Sequence, residues 1–226
     1  MQCLILAGGF GTRLYPLTMN RAKALLEYEG KPLLTYIVDN VPGNVPILIA
    51  TNRRFEAEFL RWQKRTDRQV EICFEEACRD EEKKGAVGAL HFWIEQKKIK
   101  QDLLVIAGDN YFGVELAKFI AAYNGEEALV AVHDIGDKSE AVQFGVVRLE
   151  GNRIVDFKEK PSNPKSTLIA TALYILPAYL FPTLARHCSE GKTDTLGNFI
   201  SYLVGTEKVR AYVFTEAWFD IGNRLK

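Results

Sequence analysis

The chain has 226 residues, and its 29 Lys plus Arg balance 29 Asp plus Glu, so the formal net charge is zero. A chain of this length with 47% hydrophobic and 26% charged residues buries a core of its own, which excludes a disordered chain and a disulfide-stapled miniprotein. The zero balance excludes a broad basic face for duplex nucleic acid and leaves room for a small anionic ligand held by a few local charges. In chain order, residues 2–7 read as a buried strand, 32–41 as a helix and 45–51 as a second strand. Residues 55–65 place Phe55, Phe59 and Trp62 on one helical face. A third strand at 70–75, a charged surface segment at 76–84, a helix at 86–97 and a fourth strand at 103–107 follow. This βαβα order predicts a mostly parallel sheet with helices on both faces. The second half reads as short strands at 129–133, 145–149 and 154–158, the last two joined by the turn Glu150-Gly151-Asn152-Arg153. A strand at 167–176, helices at 178–187 and 196–204 and a strand at 209–215 complete the pattern. No repeat, low-complexity tract or linker divides the chain. The expectation is one domain over residues 1–226, a parallel half binding a ligand at strand carboxyl ends and a mixed half completing the pocket.

Cys3, Cys73, Cys78 and Cys188 form no CxxC pair, and His91, His133 and His187 form no HExxH, which argues against zinc. Scattered, mostly apolar-flanked cysteines read as reduced core residues of a cytoplasmic protein. Residues 1–7 lack the basic start of a signal peptide. The most apolar later stretch, 171–185, carries Pro177 and Pro182 and falls short of the roughly 20 residues a membrane span needs.

Directly after the first strand comes Gly8-Gly9-Phe10-Gly11-Thr12-Arg13. Glycines there let the backbone approach a ligand, free N–H groups can cradle phosphate oxygens, and Arg13 and Lys23 add cations. The string is not a Walker loop, and Leu14 breaks the dinucleotide fingerprint G-x-G-x-x-G. Asp109, after the fourth strand, and Asp220, near the end, are hard-oxygen donors that suit Mg²⁺ together with substrate phosphates. Each also reads as a plain loop or helix-cap aspartate. Glu159 can accept from vicinal hydroxyls and Lys160 can neutralise a phosphate, or the pair can be a solvated charge run closing a hairpin.

These segments resemble a known family. The run from Leu6 through Gly8, Gly9, Gly11, Arg13 and Pro16 to Thr18, with Lys23-Ala24-Leu25-Leu26 and Gly30-Lys31-Pro32-Leu33-Leu34, resembles the signature of sugar-1-phosphate nucleotidylyltransferases. These nucleotide-sugar pyrophosphorylases include glucose-1-phosphate thymidylyl- and uridylyltransferases and mannose-1-phosphate guanylyltransferases. Gly108-Asp109, Trp218-Phe219-Asp220-Ile221-Gly222, Phe144-Gly145-Val146 and Glu159-Lys160-Pro161 are similar to further family elements. Gly85-Ala86-Val87-Gly88-Ala89 is a looser match to its base-contacting segment. Ala22 stands where the family usually has proline, and Ala172 where it usually has glycine.

The fold expected is α/β: a single-domain, Rossmann-like three-layer αβα sandwich with a mixed, mainly parallel central sheet. The resemblance implies a nucleotidyltransferase catalytic domain over 1–226. It implies Leu6, Ala7, Gly8, Gly9, Gly11, Thr12, Gly85 and Gly88 against the nucleotide, and Gly145, Glu159, Lys160 and Thr171 against the sugar phosphate. Arg13 and Lys23 then act on the phosphates, and Asp109 and Asp220 hold Mg²⁺. The implied reaction converts an NTP and a sugar-1-phosphate into an NDP-sugar and pyrophosphate, with dTTP or UTP and glucose-1-phosphate preferred. The alternatives are mannose-1-phosphate guanylyl transfer, cytidylyl transfer to a non-sugar phosphate, and a non-catalytic nucleotide-sugar-binding regulator. A glycosyltransferase fits less well, since Asp109-Asn110-Tyr111 lacks the Asp-x-Asp such enzymes usually carry. No nucleic-acid or membrane partner is expected, and the oligomeric state is not legible. With four residues after Gly222, the chain is expected to lack the helices or β-helix that many relatives carry beyond this segment.

Overall fold

Side chains alternate along the buried strands, so each strand feeds two cores at once. In the computed structural model, which describes residues 1–224, this alternation builds three layers. The strands are β1 (Gln2–Leu6), β2 (Glu27–Tyr28), β3 (Lys31–Pro32), β4 (Ile47–Asn52), β5 (Glu71–Glu75), β6 (Leu103–Ala107), β7 (Asn110–Phe112), β8 (Ala128–Asp134), β9 (Gly145–Glu150), β10 (Arg153–Glu159), β11 (Leu168–Leu176), β12 (Val209–Phe214) and β13 (Trp218–Asp220). The helices are α1 (Leu33–Asn40), α2 (Glu56–Gln63), α3 (Ala86–Lys97), α4 (Leu116–Ala121), α5 (Lys138–Ala141), α6 (Phe181–Ser189), α7 (Leu196–Thr206) and α8 (Ile221–Arg224).

Cys3, Ile5, Ile49, Leu104 and Ile106 point to one side, where α1, α2 and α4 bury Leu34, Phe59, Trp62 and Phe119 on them. Leu4, Leu48, Cys73, Leu103 and Val105 point to the other, under Leu90 and Trp93 of α3 and Phe199 and Leu203 of α7. The large sheet has nine strands in the order β5-β4-β1-β6-β11-β8-β12-β10-β9. β5, β4, β1 and β6 are parallel, as the alternating pattern predicts. β11 runs antiparallel between β6 and β8, and β10 runs antiparallel to both β12 and β9, which gives the mixed half. β10 and β11 thus run against the remaining strands, and the sheet is mainly parallel.

The expected main strands and helices lie within a few residues of their predicted bounds. The structure adds elements too short to show a period: the β2–β3 ribbon, the β7–β13 ribbon, and helices α4, α5 and α8. The β7–β13 ribbon pairs Asp220 with Asn110, next to Asp109, and this pairing carries the end of the chain to the mouth of the parallel half. One expectation is corrected. Cys3 and Cys73 are buried and Cys188 is half-buried, but Cys78 is exposed on the charged 76–84 segment rather than in the core. Among the described residues no helix is long and apolar enough to cross a membrane.

Candidate active site

The carboxyl ends of β5, β4, β1 and β6 all open on one side of the sheet, into a cleft of about 800 Å³. The glycine loop leaves β1 along its floor. Gly11 has φ of 63°, and a Cβ there would lie 3.0 Å from Thr18 Cγ2, so only glycine suits the position. The buried Thr18 hydroxyl donates to Gly11 O at 2.7 Å and latches the loop. Thr51 Oγ1 donates to Ala7 O at 3.2 Å, and Asn52 Nδ2 donates to Gly8 O at 3.0 Å, which ties the same loop to β4.

Three charged side chains from distant parts of the chain meet at the centre. Lys23 Nζ donates to Asp109 Oδ2 at 2.6 Å and to Asp220 Oδ1 at 3.2 Å. Lys23 leaves a short 3-10 turn whose preceding residue, Ala22, has φ of −66°. That is the φ a proline would impose, so the backbone geometry survives the substitution. Alanine also keeps an N–H, which donates to Glu58 Oε2 at 2.7 Å. Asp109 Oδ1 accepts from Asn110 Nδ2 at 2.9 Å, and Asp220 Oδ1 accepts from Gly222 N at 2.7 Å. Gly222 makes room for the lysine head: a Cβ there would lie 2.8 Å from Lys23 Nζ.

Electrostatics follow this packing. Burial acts to lower the Lys23 pKa, but the two carboxylates outweigh it and leave the pKa raised, so the ammonium is charged. Burial acts to raise Asp109, and Lys23 reverses this and holds it below the usual aspartate range. Asp220 is raised, first by burial and then by repulsion from Asp109. Both carboxylates converge on one point, and the Lys23 ammonium marks that point as a place for positive charge. Two hard oxygen donors beside the glycine-loop cleft fit Mg²⁺ completed by ligand oxygens and water. Among the described residues no group of three or more His, Cys, Asp or Glu side chains forms a fully protein-built cage.

The opposite wall comes from the mixed half. Glu159 reaches the cleft from the end of β10, and its carboxylate lies against Gly197 in the first turn of α7, where a Cβ would overlap it. Gly145 is similarly required, because a Cβ would strike the Phe157 ring. Lys160 Nζ lies 3.9 Å from Glu159 Oε1. Burial pushes the Glu159 pKa up, against the opposing pull of Lys160. Lys160 (φ 44°) and Ala172 (φ 58°) both line the cleft in the left-handed region that favours glycine. Ala172 falls where the β11–β8 register breaks between Ala170 and Tyr174, which gives a backbone reason for glycine there.

Leu6, Ala7, Gly8, Gly9, Gly11, Thr12, Arg13, Lys23, Gly85, Asp109, Gly145, Glu159, Lys160, Thr171 and Asp220 all line this one cleft. Gly88 does not. It lies in α3 with its N–H donating to Thr193 O at 3.0 Å. Gly85 N-caps α3 at φ of 76°, packed so closely on the Thr193 carbonyl that a Cβ would overlap it. The Thr171 hydroxyl is spent inside the sheet, donating to Ala131 O at 3.1 Å. Sequence reasoning did not single out Asn52, Glu75 or Gly197, which also line the cleft. The pointer to the first two was a polar residue closing each of two mostly apolar strands, on the strand ends that flank the glycine loop.

A family model described as nucleotidyl transferase matches residues 2–224. A Sulfolobus acidocaldarius protein named "Putative mannose-1-phosphate guanyltransferase" is 27% identical over 225 residues, covering 98% of this chain and 60% of that protein. The Methanocaldococcus jannaschii "Bifunctional protein GlmU" is 29% identical over 228 residues, covering 99% of this chain and 52% of that protein. The chain therefore spans little more than half the length of these two relatives. A Bacillus anthracis crystal structure of a "Putative Glucose-1-Phosphate Thymidylyltransferase" in complex with a sucrose superposes with a TM-score of 0.87 at 21% identity, covering 100% of this chain and 93% of that one, which establishes the shared fold. With nearly its whole length matched, the chain belongs to the nucleotidyl transferase family.

Proposed function

We propose that residues 1–226 form a catalytic domain that transfers a nucleotidyl group from an NTP to a sugar-1-phosphate and releases pyrophosphate. The observation that carries this reading is the Lys23 ammonium held between Asp109 and Asp220, in the cleft that the glycine loop and the Glu159–Lys160 wall also line. Two anionic reactants brought together at one point need this concentration of charge control and little else, because the sugar phosphate is already the nucleophile. The nucleotide's phosphates lie on the Gly8–Gly11 backbone, and Arg13, exposed beside the loop, meets the leaving pyrophosphate. Lys23 exchanges its carboxylate contacts for the α-phosphate and the attacking oxygen. Asp109 and Asp220 would hold Mg²⁺, which would neutralise part of the clustered phosphate charge. Glu159 accepts from sugar hydroxyls, and Lys160 takes the sugar phosphate.

Pyrophosphate release, measured with five NTPs against glucose-, galactose-, mannose- and N-acetylglucosamine-1-phosphate, tests the reaction. Turnover of at least one pair, lost on chelation of Mg²⁺ and restored by its return, is the expected result. Binding without release for every pair identifies a regulator instead. The pyrimidine preference expected from the sequence gains no support from the wall beside the glycine loop, whose polar groups are the acceptors of Asn52 and Glu75.

A pH dependence follows from Glu159. Its pKa is raised, so it takes up a proton at higher pH than an ordinary glutamate, and the protonated form accepts fewer sugar hydroxyls. KM for the sugar phosphate is expected to climb as pH falls through that raised value, while KM for the NTP stays level. Glu159→Gln is expected to flatten the climb and to raise the sugar KM roughly 10-fold at neutral pH. Parallel pH curves for the variant and the wild type remove Glu159 from the sugar subsite.

A further inference from the structure

Past the glycine loop the cleft forms a slot walled by the sheet and by α3. By strand alternation Leu6, Ala50, Asn52 and Glu75 share the face that carries Leu4, Leu48 and Cys73 into the α3-side core. The first turns of α3 oppose them with Ala86 and Ala89. Leu6 and Ala50 on one side and the two alanines on the other make two apolar walls suited to a flat aromatic ring. The polar groups of the slot are Asn52 and Glu75, neighbours in the β4–β5 register. Asn52 is 2% exposed; its amide nitrogen is committed to Gly8 O, and its Oδ1 is buried with no partner. Glu75 is 8% exposed. The Lys84 charge faces it, and the Trp93 indole N–H lies beside it without completing a well-formed hydrogen bond. Asp80 and Lys83 stand farther out on the same rim.

Building on the nucleotidyl-transfer reading, we propose that this slot selects guanine: the Glu75 carboxylate takes the N1–H and N2–H of the base, with Asn52 Oδ1 as a further acceptor. Burial pushes the Glu75 pKa up and the Lys84 charge opposes that rise; as a carboxylate Glu75 can only accept, and so can the free amide oxygen of Asn52. Guanine alone among the common bases presents two adjacent donors on its Watson–Crick edge. Uracil and thymine present one N–H between two carbonyl oxygens, so a carboxylate meeting that edge sets one oxygen against a carbonyl lone pair. Adenine and cytosine each place a ring-nitrogen acceptor beside their single amino group. The same acceptors are repelled by phosphate, so the slot suits the base and not the triphosphate. A site whose buried polar groups are satisfied only by the right base rejects the others strongly, because the wrong base leaves those groups unpaired.

Calorimetric titration of the intact chain with GTP, ITP, ATP, CTP, UTP and dTTP in the presence of Mg²⁺ tests the proposal apart from turnover. GTP is expected to bind tightest. ITP, which lacks only the 2-amino group, is expected to bind roughly 10-fold more weakly, and UTP and dTTP roughly 100-fold more weakly. Glu75→Gln presents one donor beside one acceptor, the complement of the uracil edge. It is expected to weaken GTP roughly 10- to 100-fold and to strengthen UTP and dTTP, moving the preference toward pyrimidines. Equal affinity for ITP and GTP, or UTP or dTTP matching GTP in the unaltered chain, overturns the proposal; neither comparison needs a variant. A uniform loss for all nucleotides in Glu75→Gln overturns it as well. Pyrophosphate release that favours UTP or dTTP leaves the reaction standing and removes the guanine assignment. The GTP-first binding order without any release does the reverse.

Discussion

Lys23→Met is expected to lower kcat/KM about 10²–10³-fold, the usual cost of removing one preorganised charge stabiliser. Methionine matches the length of the lysine stem without its charge, so the loss isolates the ammonium from the packing. The lysine side chain is only 15% exposed, and it is the sole cation within 4.0 Å of either carboxylate among the described residues. Its removal leaves Asp109 and Asp220 facing each other. Asp220, already raised by burial and by Asp109, then loses the charge that opposed both. The variant should therefore need less Mg²⁺ for half-maximal rate than the wild type, because no ammonium competes with the divalent ion for the two carboxylates. Its melting temperature without Mg²⁺ should fall, because removing one partner of a largely buried ion pair leaves two carboxylates uncompensated, and added Mg²⁺ should restore it. Steady-state pyrophosphate release across a Mg²⁺ series, with calorimetry on the same samples, checks both parts. A kcat/KM within about threefold of wild type would show that Lys23 only bridges two carboxylates and stabilises no developing charge. Lys23→Arg should recover part of the rate, because a planar fork cannot replace a compact ammonium between two carboxylates.

Gly222→Ala is expected to cost on the order of 10²-fold in kcat with the fold intact, because displacements near 1 Å at a reacting centre carry costs of that size. The added methyl has no free space: it would lie 2.8 Å from Lys23 Nζ and 2.9 Å from Asp220 Oδ1. The lysine head is the movable party, and it must leave the point where the two carboxylates converge. Gly205→Ala is the matched control. Gly205 lies in α7 with nothing within 4 Å of a built Cβ, so the substitution should leave activity unchanged and raise stability by roughly 0.5–1 kcal/mol. Wild-type kcat in Gly222→Ala would mean that Lys23 works from a different rotamer.

The sequence disclosed the parts of this architecture that repeat along the chain, and missed those that depend on a single contact. The all-apolar run of β6 and the glycine that opens α3 set those two elements at their observed bounds. β7 and β13, three residues each, are too short to carry a period, yet their pairing brings Asp220 to Asp109. The insertion of β11 between β6 and β8 was equally silent, because local pattern does not encode strand order. Glycines were legible as a group but not by task. Gly11 is required by its φ and by Thr18, Gly145 by the Phe157 ring and Gly197 by the Glu159 carboxylate, whereas Gly9 has nothing near it. Glu75 and Asn52 escaped notice because a polar residue ending a strand is ordinary, and only the burial of both and the unpartnered Oδ1 of Asn52 set them apart.

The boundary between stability and chemistry lies at the β7–β13 ribbon. The large sheet ends with β12 at Phe214, and Asp220 hangs on three residue pairs of a separate two-stranded ribbon. Backbone cleavage within Thr215-Glu216-Ala217 would therefore leave every strand of the large sheet in place while freeing the second carboxylate from its anchor. Hydrogen exchange should report the same division, with the ribbon amides opening well below the global unfolding free energy and the β1 and β6 amides only at it. Global melting would then measure the scaffold alone, and if Asp220 serves the reaction as proposed, competence would be set by the closure of a ribbon three residues long.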